Sequence, residues 1–157
     1  MTRLTLLLIL LATPALADVQ VAFSPGNAEQ TVIAAIDSAQ RTIHLAAYSF
    51  TSRPIAQALL AAKARGVEVA AVMDKIDEGK VARLLPGIPV RIDRWYAIQH
   101  NKFLVIDGQT VETGSFNYSH RAATVNAENV VVLRDMPDVA ARYEQEWRRM
   151  WNESEAP

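Results

Sequence analysis

His100-Asn101-Lys102-Phe103-Leu104-Val105-Ile106-Asp107-Gly108-Gln109-Thr110-Val111-Glu112-Thr113-Gly114-Ser115-Phe116-Asn117 is the stretch on which the reading of this chain turns. It gathers an imidazole, an ammonium, a carboxylate, a hydroxyl and a carboxamide, the groups that phosphoryl transfer needs. Phe103 to Ile106 is apolar at every position, the pattern of a central strand covered on both faces, so its polar neighbours are confined to the ends. Extending that strand back through Lys102 and His100 puts the two side chains, two residues apart, on one face. Asp107-Gly108 is a strong hairpin signal, and Thr110 to Thr113 reads as the returning strand. A two-residue turn then sets His100 opposite Ser115 or Asn117, depending on whether Asp107-Gly108 or Gly108-Gln109 occupies it. Either register brings Gly114-Ser115-Phe116-Asn117 beside the imidazole and the ammonium.

The rest of the chain alternates strands and helices. Val19 to Phe23 reads as a strand, and Asn27 to Gln40 as an amphipathic helix with Asn27 as its cap. Thr42 to Tyr48 is a second strand. Thr51 or Ser52 then caps a helix that carries Pro54 in its first turn and stops at Gly66. Val67 to Met73 is a buried strand, Glu78 to Leu85 a short helix, and Val90 to Ile92 a short strand leading to the hairpin. Ala127 to Leu133 follows as a strand. Pro137 to Trp151 closes the chain as a helix whose Tyr143, Trp147 and Met150 form one apolar stripe. No repeat, linker or low-complexity tract interrupts this order, so the expectation is a single α/β domain, a mixed sheet flanked by helices.

The 157 residues include no cysteine and are half hydrophobic, enough for one domain with a substantial core. Met1 to Ala17 combines Arg3, an apolar run from Leu4 to Ala12 and a Pro14-Ala15-Leu16-Ala17 ending, which matches a secretory signal. The run is too short to span a bilayer. The expectation is a signal peptide at residues 1–17, a mature domain at 18–157 beginning with Asp18, a periplasmic or secreted location, and no stable membrane association afterwards. Losing Arg3 leaves 15 of the 16 basic residues against 17 acids, a net charge of −2. Any positive field that attracts a polyanion must therefore be local. Arg91, Arg94, Lys102 and Arg121 flank the hairpin, with Lys75, Lys80 and Arg83 before it. Trp95 and Tyr96 precede it too, and either stack on bases or pack locally.

His100-x-Lys102-x4-Asp107-x6-Gly114-Ser115-x-Asn117 resembles the HKD motif of the phospholipase D superfamily, and the chain resembles its small bacterial endonuclease branch. Ala47-Tyr48-Ser49-Phe50-Thr51, Ala64-Arg65-Gly66-Val67-Glu68-Val69, Ile98-Gln99-His100 and Asn126-Ala127-Glu128-Asn129 extend the likeness in the same order. The connection between Asp74 and Gly87 is short for this branch, which bears on the groove beside the site. The resemblance implies a metal-independent phosphodiesterase without cofactor. Members usually carry the motif twice, and this chain carries it once, so a homodimer is implied in which two motifs meet. One His100 would attack phosphorus, and the other would protonate the leaving oxygen and then activate water. Both copies of Lys102 would hold the phosphate, Ser115 and Asn117 would donate to it, and Glu128 would accept a hydrogen bond from the histidine. Asp107, at the turn, is expected to be structural.

The other histidines are poorer candidates: His44 lies in an apolar strand, and neither it nor His120 has a lysine two residues on. Without cysteine or an HExxH pattern a zinc site is not expected, and a lysine stands where magnesium would want carboxylates. No phosphate-binding glycine loop occurs. Nucleic acid, DNA first and RNA second, is the expected substrate. A phospholipid is the alternative, and a non-catalytic phosphate-binding module a third reading that His100 and Lys102 argue against.

Overall fold

The computed structural model describes residues 17–157, so the expected signal at residues 1–17 falls almost wholly outside the described residues. Seven strands form one mixed sheet in the order β1-β7-β6-β5-β2-β3-β4. They are β1 (Asp18–Ser24), β2 (Thr42–Ala47), β3 (Glu68–Asp74), β4 (Val90–Asp93), β5 (Phe103–Ile106), β6 (Thr110–Gly114) and β7 (Glu128–Arg134). The helices are α1 (Ala28–Asp37), α2 (Arg53–Ala64), α3 (Glu78–Leu84), α4 (His120–Thr124) and α5 (Pro137–Glu153). β2, β3 and β4 run parallel, joined by helical crossovers, and the remaining neighbours are antiparallel. This is the single α/β domain with a helix-flanked mixed sheet that the alternation of elements predicts. Among the described residues no helix is long and apolar enough to cross a membrane.

The apolar run of β5 explains its central position. Leu104 and Ile106 face a core shared with α1 and α2, while Phe103 and Val105 face a second core under α5. Trp147 and Met150 of the α5 stripe are buried in that second core, with Tyr143 packed against it. Trp147 also donates from Nε1 to Leu45 O at 2.8 Å, which locks α5 to β2. Burial of these large side chains contributes roughly 2–3 kcal/mol each.

Local signals hold unevenly. Ser52 Oγ accepts from Ile55 N at 3.2 Å and caps α2, as expected. Asn27 occupies the cap position of α1 but makes no side-chain cap bond, and α1 stops at Asp37. The cause lies beyond it: the amides of Gln40, Arg41 and Thr42 all donate to the Asp107 carboxylate at 2.8–2.9 Å, which holds that stretch out of the helix. The 3-10 turn Lys75–Asp77 and the five-residue α4 were not expected, since neither is long enough to show a helical period.

The hairpin register also differs from both two-residue alternatives. Ile106 pairs with Thr110 and Phe103 with Thr113, so three residues span the turn, and the sequence opposite His100 lies between the two expected partners. Asp107 and Gly108 both take positive φ, 55° and 68°, and Gln109 N donates to Ile106 O at 3.1 Å. β5 begins at Phe103, so His100 and Lys102 lie in the irregular segment before it and not on a strand face.

Candidate active site

The strand registers place the C-terminal ends of β1, β2, β3, β4 and β6 and the N-terminal ends of β5 and β7 on one side of the sheet. The segments leaving these ends form a mouth, and three buried aspartates pin them. Asp74 accepts from Ile76 N and Gln99 N at 2.8 Å each. Asp93 Oδ1 accepts from Trp95 N and Tyr96 N. Asp77 accepts from Ser49 Oγ, Phe50 N and Lys80 Nζ; burial pushes its carboxyl up, but these bonds outweigh it and hold the pKa low. Gln99, 2 % exposed, completes the brace: its amide reaches Ala47 O at 3.3 Å and its carbonyl accepts from Asn101 N at 2.6 Å. His100 is therefore held between two fixed neighbours at the end of β2.

His100 is exposed, its ring 4.5 Å from that of Tyr48 at 57°, and its imidazole has no hydrogen-bond partner among the described residues. Lys102 is 7 % exposed; its ammonium donates to His100 O at 2.7 Å and sits 5.3 Å over the Tyr48 ring. Burial depresses the Lys102 pKa, and the negative charge of Glu128 pulls it the other way. A partly dehydrated ammonium beside an unbonded imidazole suits the capture of an anion, because it gives up little water on binding. Tyr48 packs against both groups, and an aromatic residue at a strand end carries no sequence signal of such a role.

The Gly114-Ser115-Phe116-Asn117 segment arrives from β6 and depends on glycine. Gly114 has φ 157°, and a Cβ there would lie 2.2 Å from Asn129 O. Ser115 Oγ donates to Glu128 Oε2 at 2.7 Å and accepts from the backbone and side-chain nitrogens of Asn129. Its only proton is thus committed to a carboxylate, contrary to the expected donation to phosphate. Glu128 accepts from Ser115 and from Asn126 Nδ2 at 2.9 Å, not from His100 as the resemblance implied. Each carboxylate oxygen holds one of these donors, and the imidazole packs on Tyr48. Asn117 has an uncommitted amide whose Oδ1 is buried without a partner among the described residues. That acceptor costs about 1–3 kcal/mol, and a phosphate oxygen, itself an acceptor, does not complete it; Asn117 Nδ2, which makes no hydrogen bond among the described residues, is the atom that can donate to one. Asn117, His100 and Lys102 are the groups left open; Ser115 and Glu128 form the support behind them.

Asp107 lies at the far end of the hairpin, its carboxylate bound to the backbone amides of Gln40, Arg41 and Thr42. Arg41 reinforces it by donating to Asp107 O at 2.7 Å, so the contact is not a carboxylate ion pair. His44 is tied by Nδ1 to Glu144 at 2.7 Å and stacked on Trp147 at 4.0 Å, away from the mouth. Of the flanking cations, Arg94 is spent on Glu78, Arg91 on Trp151 O, and Lys80 on Asp77. Among the described residues no group of three His, Cys, Asp or Glu side chains is arranged to hold a metal ion.

Known proteins match this arrangement. The family described as "Cardiolipin synthase, PLD-like domain" matches residues 32–151. The crystal structure of the phospholipase D family member Nuc from Salmonella typhimurium superposes with a TM-score of 0.86 at 42% identity, covering 90% of this chain and 98% of that one. NucT from Helicobacter pylori shares the fold, with a TM-score of 0.80 at 23% identity over 90% of this chain and 99% of its own. Phospholipase D of Rickettsia conorii is 36% identical over 78% of this chain and 64% of its own length. The mitochondrial cardiolipin hydrolase of Chlamydomonas reinhardtii is 34% identical over 74% of this chain and 54% of its own. The chain thus spans a little under two thirds, or less, of these curated relatives. It belongs to the phospholipase D superfamily.

Proposed function

We propose that the protein is a nonspecific endonuclease that hydrolyses DNA, and RNA secondarily, without a metal, in a homodimer whose two mouths face each other. The observation that carries the reading is the pairing of an exposed, unbonded imidazole with a dehydrated ammonium, where among the described residues no other histidine makes a hydrogen bond or ring contact with His100. His100 attacks phosphorus, forming an N–P bond as the P–O bond to the leaving alkoxide breaks. A proton from His100 of the partner subunit goes to that alkoxide, a contribution of about 10² to 10⁴ in rate. The same partner imidazole then takes a proton from the water that hydrolyses the phosphohistidine. Lys102 and Asn117 hold the non-bridging oxygens. Ser115 and Glu128 act from behind, Glu128 by favouring the charged form of Lys102.

Two further points support the reading. Of the eight large apolar side chains left exposed among the described residues, six (Phe23, Ile76, Trp95, Tyr96, Ile98 and Val125) lie at or beyond strand ends on the mouth side, which fits a surface covered by a second copy, and two, Val19 and Val21, lie along β1. The match to Nuc, at 42% identity over 98% of that chain, supports the nuclease reading as well. We place the protein outside the cytoplasm, with cleavage of a signal after Ala17; β1 begins at Asp18, so its removal costs no strand.

The test is nicking of supercoiled plasmid in excess EDTA, run beside a phosphatidylcholine assay and a sedimentation measurement. Nicking that survives chelation and disappears in His100→Ala, from a dimer, is expected. Lipid turnover without nicking would replace this reading with a phospholipase, and full activity in a monomer would end the shared-site mechanism.

A further inference from the structure

A groove of about 580 Å³ lies between α2 and α3, lined by Thr51, Arg53, Gln57, Lys80 and Arg83 over a floor that includes Leu60. Its charged lining is three cations and no carboxylate. Lys80 is engaged by Asp77, but its side chain remains 58 % exposed. Arg53 and Arg83 are exposed, and among the described residues neither has a hydrogen-bond or ion-pair partner. Elsewhere Arg65, Arg94, Arg148 and Arg149 pair with carboxylates, while Arg121 and Arg142, like Arg53 and Arg83, have no partner among the described residues but do not share one hollow with a second free arginine. Glu29, which accepts from Ser52 Oγ at 2.7 Å, lines the adjoining hollow with Arg53 but makes no ion pair with it. In a protein with acids in excess, two free guanidiniums around one hollow, beside an ammonium already paired with Asp77, form the local positive field that its overall charge does not supply.

The groove is continuous with the mouth. Thr51 N and Ser52 N both donate to Tyr118 O at 2.9 Å, and Tyr118 follows Asn117 directly. Tyr48, whose ring packs on His100, is three residues before Thr51, a Cα separation of at most about 11 Å. The wall bearing Lys80 and Arg83 is the short connection after Asp74, fixed to the same loop by the Asp77 bonds to Ser49 and Phe50.

We propose that this groove is a second phosphate-binding site, which holds a backbone phosphodiester of the polynucleotide a short distance along the strand from the one being cleaved. The inference rests on the nucleic-acid reading of the mouth and deepens it. Guanidinium forks bind phosphate oxygens in pairs and need no base contact, so the site grips any sequence. A phospholipid diester, followed by acyl chains, would find cations where it needs an apolar slot.

The experiment compares wild type, R53A/R83A, R53K/R83K and the distant control R142A on two substrates: plasmid DNA and bis(p-nitrophenyl) phosphate, a diester too small to reach the groove. For R53A/R83A the expected loss of kcat/KM is roughly tenfold greater on plasmid than on the small diester. Its salt dependence on DNA should flatten by about 1 to 2 in log–log slope. R53K/R83K should recover most of the salt slope, and R142A should match wild type on both substrates. Parallel losses on the two substrates, or an unaltered salt slope, overturn the groove while leaving the nuclease reading intact. If wild type turns over the small diester but never cuts plasmid, the nuclease reading fails first, and the groove's proposed ligand fails with it.

Discussion

The two ends of the β5–β6 hairpin carry parts of one sequence motif and treat them in opposite ways. At the turn end, the Asp107 carboxylate takes three backbone amides and its carbonyl takes Arg41, so the polar groups there are saturated. At the mouth end, the His100 imidazole and the Asn117 amide have no partners among the described residues, and the Lys102 ammonium bonds only a carbonyl. The contrast teaches that membership of a motif does not assign a chemical task. Groups fully satisfied by the protein hold the fold, and those left wanting are available to a substrate.

The strongest way to break that contrast is to exchange its histidines. His100→Ala should lower activity by about 10⁴-fold or more while leaving the melting temperature almost unmoved. His44→Ala, which removes the Glu144 bond and the Trp147 stack, should cost about 1–3 kcal/mol of stability and leave kcat of the folded enzyme within a few-fold. A reversed pattern, read by plasmid nicking and thermal melts, would refute the division of roles. At the turn end, Asp107→Ala strands three amides near solvent and should cost about 2–3 kcal/mol by denaturant titration, with turnover per folded molecule preserved. Loss of kcat without loss of stability would move Asp107 into the chemistry.

The middle of the hairpin offers a pH test. Glu112 is fully buried, and burial pushes its pKa up to about 8 from an ordinary 4.5, against the opposing bond from Tyr118 Oη at 2.6 Å. The native state therefore keeps a proton that the unfolded chain has released, so stability falls as pH rises from about 4.5 to about 8. Melting temperatures of Glu112→Gln should lack that decline between those limits, and an identical decline in the variant would show that the carboxyl is not its source. The smallest effect sharpens the view of helix starts. Ser52→Ala should cost about 1 kcal/mol and Asn27→Ala only a few tenths, because only Ser52 makes a cap bond.

Legibility followed the same division. β5 could be read because Phe103 to Ile106 is buried on both faces, and α2 because Ser52, Pro54 and Gly66 mark its ends. The expectation of a structural role for Asp107 came from its position in the turn. The turn's third residue could not be read, since Asp107-Gly108 permits more than one loop length and register depends on pairing across the sheet. Nor could the partners of Ser115 and Glu128, which meet across β6 and β7 by side-chain geometry. Gln99 reads as an ordinary polar residue, yet it braces three segments. Contacts far apart in sequence leave no periodic trace.

The aspartate pins at the mouth have an evolutionary corollary. Because Asp74 and Asp93 fasten the strand ends beside the histidine, the stretch from Glu78 to Gly87 is a panel anchored by its own contacts, Val81 and Leu85 in the core and Glu78 on Arg94. The charge of its outward residues, Arg83 among them, can be changed while the reacting centre stays in register. A protein designer seeking altered substrate preference would rebuild that panel first.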